Sequence, residues 1–146
     1  MQTVAHILKL KSKHSVCSIA PTAPVLDALK MLSENGIGAL LVMEGEKIAG
    51  IVSERDYTRK VELLGKSASG TLVSDIMTSS VICVGPSHTN EQCMGLMTEN
   101  RLRHLPVVDA GKLVGLISIG DLVKDIISEQ QFTIQQLEHY IHGARA

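Results

Sequence analysis

The sequence has no tryptophan, one phenylalanine and two tyrosines, so it lacks the aromatic platforms on which proteins stack single-stranded bases. It also lacks an excess of positive charge. Fourteen basic residues against fifteen acidic ones leave a formal net charge of −1, which argues against counterion-releasing contacts with nucleic acid phosphates. The three cysteines, Cys17, Cys83 and Cys93, form no CxxC pair, are odd in number and stand among apolar neighbours. They are expected as reduced core residues, not as disulfides or metal ligands. No stretch reaches the roughly 18 uncharged residues of a membrane span, and the first residues carry no apolar run of signal-peptide length. The expectation is a cytoplasmic protein with neither nucleic acid nor membrane as partner.

What is present is an ordered, soluble composition: 146 residues, 45% hydrophobic and 20% charged, enough for one domain or for two half-size units. The chain also repeats itself. Residues 15–59 align without a gap on residues 80–124 at an offset of 65, with eleven identical pairs. They are Ser15/Ser80, Val16/Val81, Pro21/Pro86, Glu34/Glu99, Asn35/Asn100, Leu40/Leu105, Val42/Val107, Lys47/Lys112, Gly50/Gly115, Ser53/Ser118 and Asp56/Asp121. Chance would give about three from ordinary composition, so the two copies share one fold.

Each copy opens on a short apolar stretch, Val16–Ile19 or Val81–Val84, read as a strand, and a turn at Pro21 or Pro86 follows. Val25, Ala28, Leu29 and Leu32 then recur at helical spacing, as do Cys93, Met94 and Met97, with Thr89 and Gln92 placed as a capping box. Both helices are expected to end near Asn35 and Asn100. Two strands follow in each copy, Gly38–Met43 with Lys47–Val52 and His104–Val108 with Lys112–Ile117, and a second helix starts at Ser53 or Ser118. The order strand, helix, strand, strand, helix leaves each copy with an apolar sheet face to cover, so the two are expected to share a core. The predicted organisation is a first repeat over 1–64 with its lead-in, a linker over 65–72 read as a mobile surface loop, a second repeat over 73–128 and a helical tail over 129–146. Ile134, Leu137 and Ile141 give that tail an apolar stripe.

Chemistry is most concentrated in Gly50-Ile-Val-Ser53-Glu-Arg-Asp56 and Gly115-Leu-Ile-Ser118-Ile-Gly-Asp121, where a strand runs straight into a helix. Ser-x-x-Asp is a helix-capping pattern, and capping alone accounts for one copy. The same geometry also suits a sugar phosphate: helix-start amides and a serine hydroxyl attract phosphate, while a carboxylate can accept from both hydroxyls of a ribose. With Arg103-His-Leu-Pro-Val-Val-Asp109 and the lead-in Val73-Ser-Asp-Ile-Met77, all in the same order, these segments resemble the cystathionine-β-synthase (CBS) domain pair over nearly the whole chain.

The resemblance implies an α/β (α+β) fold of two β-α-β-β-α repeats related by pseudo-two-fold symmetry, sheets together and helices outside, plus a C-terminal helix. It implies a sensing module with no catalytic residues and no metal requirement, whose composite clefts take adenosine-containing ligands: AMP, ADP, ATP, NAD or NADH, or S-adenosylmethionine. Carried over residue by residue, one site comprises Ser53, Arg55, Asp56, Val81, Ile82, Leu102, Arg103 and His104. The other comprises Ser118, Asp121, Ala23, Ala28, Ile37 and Gly38. The first gathers cationic groups where the second has Gly120, Gly38 and Ala39, so it is expected to prefer the more phosphorylated ligand or a dinucleotide. Related modules often pair, so a homodimer acting on a protein target in trans is expected.

Two other readings compete. A ligand-free adaptor would act through dimerisation and its tail helix. An enzyme acting on nucleotides would need a Walker loop, paired acids or a triad, and none is found in the sequence. His139 and His142 lie three apart on the tail and read as a solvated face, and His88 and Cys93 as turn and core residues. The basic tract Lys9-Leu-Lys-Ser-Lys13-His14 reads as a solvated face that could also reach a ligand phosphate.

Overall fold

The structure, a computed structural model, describes residues 2–11 and 16–144. Ser15, Lys13 and His14, singled out above, lie outside the described residues. The chain is a mixed α+β protein, with two small sheets and six α-helices among the described residues, the last C-terminal. Its elements are α1 (Val4–Leu10), β1 (Ser18–Ile19), α2 (Val25–Asn35), β2 (Ala39–Glu44), β3 (Lys47–Ser53), α3 (Glu54–Tyr57), α4 (Val73–Ile76), α5 (Asn90–Asn100), β4 (His104–Asp109), β5 (Lys112–Ser118) and α6 (Ile119–Ala144). A π turn, Thr58–Glu62, continues α3.

The helices form where the apolar spacing predicts. α2 buries Val25, Ala28 and Leu32 and ends on Gly36, whose φ of 60° suits a residue without Cβ. α5 buries Cys93 and Met97, and the Thr89/Gln92 capping box is formed, each side chain answering the other's backbone N–H. Each hairpin turns tightly, at Gly45 (φ 61°) and at Ala110-Gly111 (φ 51° and 79°).

The opening strands differ between the copies. β1 runs parallel to β2, pairing Ser18 with Leu41 and Ile19 with Val42, and the Leu41 N–H donates to the Cys17 carbonyl at 3.3 Å. The counterpart of Leu41 is Pro106, which has no N–H to give. The predicted strand Val81–Val84 accordingly shrinks to one bridge, Val84 to Val107. Cys83 is exposed there, beside buried Val84, against the expectation of a core residue; Cys93 is buried and Cys17 half-buried.

The described residues form two compact units, one holding 2–11, 84–109 and 115–144, the other 16–83 and 110–114. Each lead-in therefore sits with the repeat that does not follow it. In the first unit Val4 and Ala5 N–H groups donate to the His88 and Pro86 carbonyls at 2.8 and 3.0 Å. In the second, Val73 and Ser74 donate to Ala23 and Pro21 at 2.9 and 3.0 Å. The linker 65–72 is tied down, not free as expected: the Thr71 and Ala68 carbonyls accept the otherwise orphaned N–H groups of Val25 and Leu26 at the start of α2.

The lead-ins also explain the glycine of each Gly-x-x-Ser-x-x-Asp segment. A Cβ on Gly50 would stand 2.7 Å from the Thr78 carbonyl oxygen and 3.0 Å from Met77 Sδ. A Cβ on Gly115 would stand 2.7 Å from Leu8 Cδ2, the far end of a flexible side chain. Gly50→Ala is expected to cost about 2 kcal/mol and Gly115→Ala clearly less, because a rotamer change relieves the second clash but not the first. Urea unfolding of both variants checks this, and equal losses would contradict it.

Candidate functional site

In the first-repeat unit β3 runs directly into α3, and Ser53, in extended conformation, is the N-cap. Asp56 Oδ2 accepts from the Ser53 backbone N–H at 3.0 Å and from its hydroxyl at 3.1 Å, and the Ser53 hydroxyl oxygen accepts from the Asp56 N–H at 3.3 Å. Asp56 Oδ1 lies 3.2 Å from Lys60 Nζ, which also donates to the Ile76 carbonyl at 2.8 Å. The Glu54 N–H donates to the Gly38 carbonyl at 3.2 Å, so the start of the hairpin and the start of the helix are joined.

The second-repeat unit builds the same arrangement from partly different residues. The Ser118 N–H donates to Asp121 Oδ2 at 2.8 Å, the Asp121 N–H to Ser118 Oγ at 3.2 Å, and the Ile119 N–H to the Arg103 carbonyl at 2.9 Å. The counterpart of Lys60 is Asp125, so this copy has no lysine on the helix to face its aspartate. Lys11, just past α1, takes the place: its Nζ lies 2.9 Å from Asp121 Oδ2 and donates to the Leu116 carbonyl at 2.7 Å. Each Ser-Asp pair is thus a closed capping box with a lysine on its carboxylate and a neighbouring backbone carbonyl.

Burial alone would push the Asp121 carboxyl up, but the Ser118 N–H and the Lys11 ammonium outweigh it and hold the carboxyl below its ordinary range. His104 moves down as well, first through burial and then through the charges of Lys11 and Arg103, which together exceed the opposing pull of Asp121. Lowered in the folded state, His104 resists a proton that the unfolded chain accepts, so its penalty is absent above the ordinary value of 6.5 and grows as pH falls below it. The melting temperature is expected to fall between about pH 6.5 and 5, and His104→Gln to flatten that slope. A variant with an unchanged slope in thermal scans would contradict this assignment.

Of the remaining residues expected in a site, His104 lies within electrostatic reach of Lys11, Asp121 and Arg103, while Arg103 and Arg55 are exposed. Leu102, Val81, Ile82, Ala23, Ile37 and Gly38 are half-buried. Ala28 is buried in the core formed with Val25, Leu32 and Val42. Sequence reasoning missed Lys60, although its position four residues after Asp56 on a helix was a readable signal. It took Lys11 only as part of a basic tract. His88 Nδ1 accepts the Gly85 N–H at 2.9 Å within its turn. Among the described residues no group of three or more His, Cys, Asp or Glu side chains could hold a metal ion, and no helix is long and apolar enough to cross a membrane.

Comparison with known proteins places the two repeats in one family. The family model "CBS domain" matches residues 4–62 and 73–128. The mitochondrial CBS domain-containing protein CBSX3 of Arabidopsis thaliana is 38% identical over 151 residues, covering 97% of this chain and 72% of that protein. A solved structure of a protein with CBS domains from Burkholderia ambifaria MC40-6 is 56% identical with a TM-score of 0.86, covering 91% of this chain and 99% of that one. The CBS domain pair of protein MJ0100, solved in complex with 5′-methylthioadenosine and S-adenosyl-L-methionine, shares the fold at 20% identity with a TM-score of 0.77, covering 88% of this chain and 98% of that one. With two matched copies spanning most of its length, the chain belongs to the CBS-domain family.

Proposed function

We propose that this chain is a cytoplasmic regulatory sensor of adenine nucleotides, which takes AMP, ADP, ATP or NAD(H) at its two Ser-Asp helix starts and answers with a change of conformation or assembly. It catalyses nothing itself, needs no metal, works as a pair of chains and passes its signal to a separate protein. The observation that carries this reading is the duplicated carboxylate, Asp56 and Asp121, each at a helix start and each closed by a lysine. A ribose can donate both hydroxyls to such a carboxylate, and the displaced lysine is then free to meet the phosphates. Arg103 adds a cationic donor and His104 a neutral imidazole N–H, which supports a preference for the more phosphorylated ligand at the site they serve.

A second reading has its own support: the capping boxes satisfy both Ser-Asp pairs without any ligand, as in an adaptor whose sites stay empty. A thermal-shift panel of AMP, ADP, ATP, NAD, NADH, S-adenosylmethionine and 5′-methylthioadenosine separates the two. A ligand at 100 times its dissociation constant stabilises the folded chain by about 2.7 kcal/mol, a rise of several degrees. A flat panel would leave the adaptor, and release of ADP or AMP from ATP with magnesium would make the protein an enzyme.

A further inference from the structure

The tail and the last helix of the second repeat are one element, α6, running unbroken from Ile119 to Ala144. Its first turns are anchored by Leu122 and Asp125, both buried, but every described side chain from Gln130 to Gly143 is exposed. A helix projecting this far gains little from propensity alone and is ordinarily held by packing along an apolar face. Such a face is present: Val123, Ile127, Ile134, Leu137 and Ile141 are all exposed, Leu137 at 57%. With Gln130 they recur at alternating steps of four and three, so they form a seam with isoleucine at the a positions, Ile127, Ile134 and Ile141, and Val123, Gln130 and Leu137 at d.

We propose that this seam is covered by the α6 of a second copy of the chain, lying antiparallel. The inference rests on the reading above that the chain works as a pair, and it assigns the surface and the direction. Antiparallel packing sets Val123 against the partner's Ile141, Ile127 against the partner's Leu137 and Gln130 against the partner's Ile134, over about 27 Å of helix at about 1.5 Å per residue. On one flank it brings Lys124 to the partner's Glu138, opposite charges, twice per dimer. On the other flank it brings Ile126 to the partner's Tyr140, and there α6 borders a groove of about 500 Å³ lined by Asn90, Glu91, Ile126, Glu129, Gln130 and Ile134.

Tyr140 is 75% exposed in the single chain. Seated in the groove, the partner's Tyr140 would cover its apolar wall and bring one hydroxyl donor into a lining that offers Glu91, Glu129 and Asn90 as alternative acceptors, the buried Asn90 Oδ1 accepting no hydrogen bond among the described residues. A parallel pair would instead carry the partner's Glu138 to Thr133, beside Glu129, and leave Lys124 without its opposite charge.

Sedimentation equilibrium of the full chain tests this. A dimer is expected, with Leu137→Glu and Ile134→Glu each raising its dissociation constant about a hundredfold or more, and Tyr140→Ala about tenfold. Lys124→Glu and Glu138→Lys are each expected to weaken it about tenfold, and the double exchange to restore it; the two positions lie too far apart along one helix for that rescue to arise within a chain. In a Cys83→Ser background, Gln131→Cys should form a disulfide across the two-fold axis under mild oxidation. A chain that stays monomeric at about 100 μM would overturn both the seam and the paired reading. A dimer indifferent to Leu137→Glu would overturn the seam alone, and failure of the double charge exchange or of the Gln131→Cys cross-link would overturn its direction.

Discussion

Replacement of Asn90 by leucine is expected to destabilise the protein by about 3 kcal/mol and to lower its melting temperature by about 10 °C, although the side-chain hydrogen bonds of Asn90 go to Leu122 and Asp125 and to none of the residues proposed for a ligand site. The side chain is 3% exposed, and its Nδ2 donates to Asp125 Oδ2 at 2.8 Å and to the Leu122 carbonyl at 3.0 Å. Asp125 is itself only 6% exposed, so Asn90 clips the start of α5 to α6 through a carboxylate that has little water. Leucine keeps the branched shape, with somewhat greater bulk, but gives Asp125 no donor. The full cost of an unpaired buried carboxylate then falls on the folded state, and the Leu122 carbonyl loses a donor as well. The double variant Asn90→Leu with Asp125→Leu removes both polar partners and is expected to recover most of the loss. Chemical unfolding of the two variants decides it: a single variant as stable as the parent, or a double variant worse than the single, would show that this contact does not hold α6 in place.

The same residues mark what could be read from the sequence and what could not. Asn90 and Asp125 are the counterparts of Val25 and Lys60, so the offset of 65 that exposes the duplication also shows where the copies part. The helices α2 and α5, the two hairpins and the Thr89/Gln92 box were legible because each depends on a local period or spacing. The loss of the strand at Val81–Val84 was not seen, although Pro106 stood in the sequence, because the missing donor matters only once the partner strand is known. Lys11 beside Asp121 was illegible for a different reason: the lead-ins pack on the repeat that does not follow them, and no local pattern records that exchange. The continuity of α6 was available in the spacing from Val123 onward, but the expectation stopped the repeat at 128 and began a tail at 129. Ser53, Asp56, Ser118 and Asp121 were found as a constellation because motif and helix start coincide, whereas the lysines that close their carboxylates needed coordinates or, for Lys60, a helix wheel.

Exchanging Asp56 or Asp121 for asparagine separates the capping role of these residues from the ligand role proposed for them. Asparagine keeps a carbonyl oxygen that can accept the N–H of Ser53 or Ser118, so each helix start is expected to persist with a loss of about 1 kcal/mol, chiefly from the Lys60 or Lys11 ion pair. The ribose sees a larger change. A carboxylate presents two charged oxygens to two hydroxyls, whereas the amide presents one neutral acceptor and, beside it, an N–H₂ group that cannot accept. Two charge-assisted bonds reduced to one neutral bond should weaken adenine nucleotide binding about thirtyfold at the altered site, a difference of about 2 kcal/mol. Titration calorimetry well below the melting temperature measures the two effects apart, and each single variant reports on its own site. If binding survived both exchanges while the melting temperature fell, the carboxylates would be caps and nothing more. If only one of the two exchanges abolishes binding, the site it alters is the one the nucleotide uses, and the lysine beside it, Lys60 or Lys11, is the next residue to exchange.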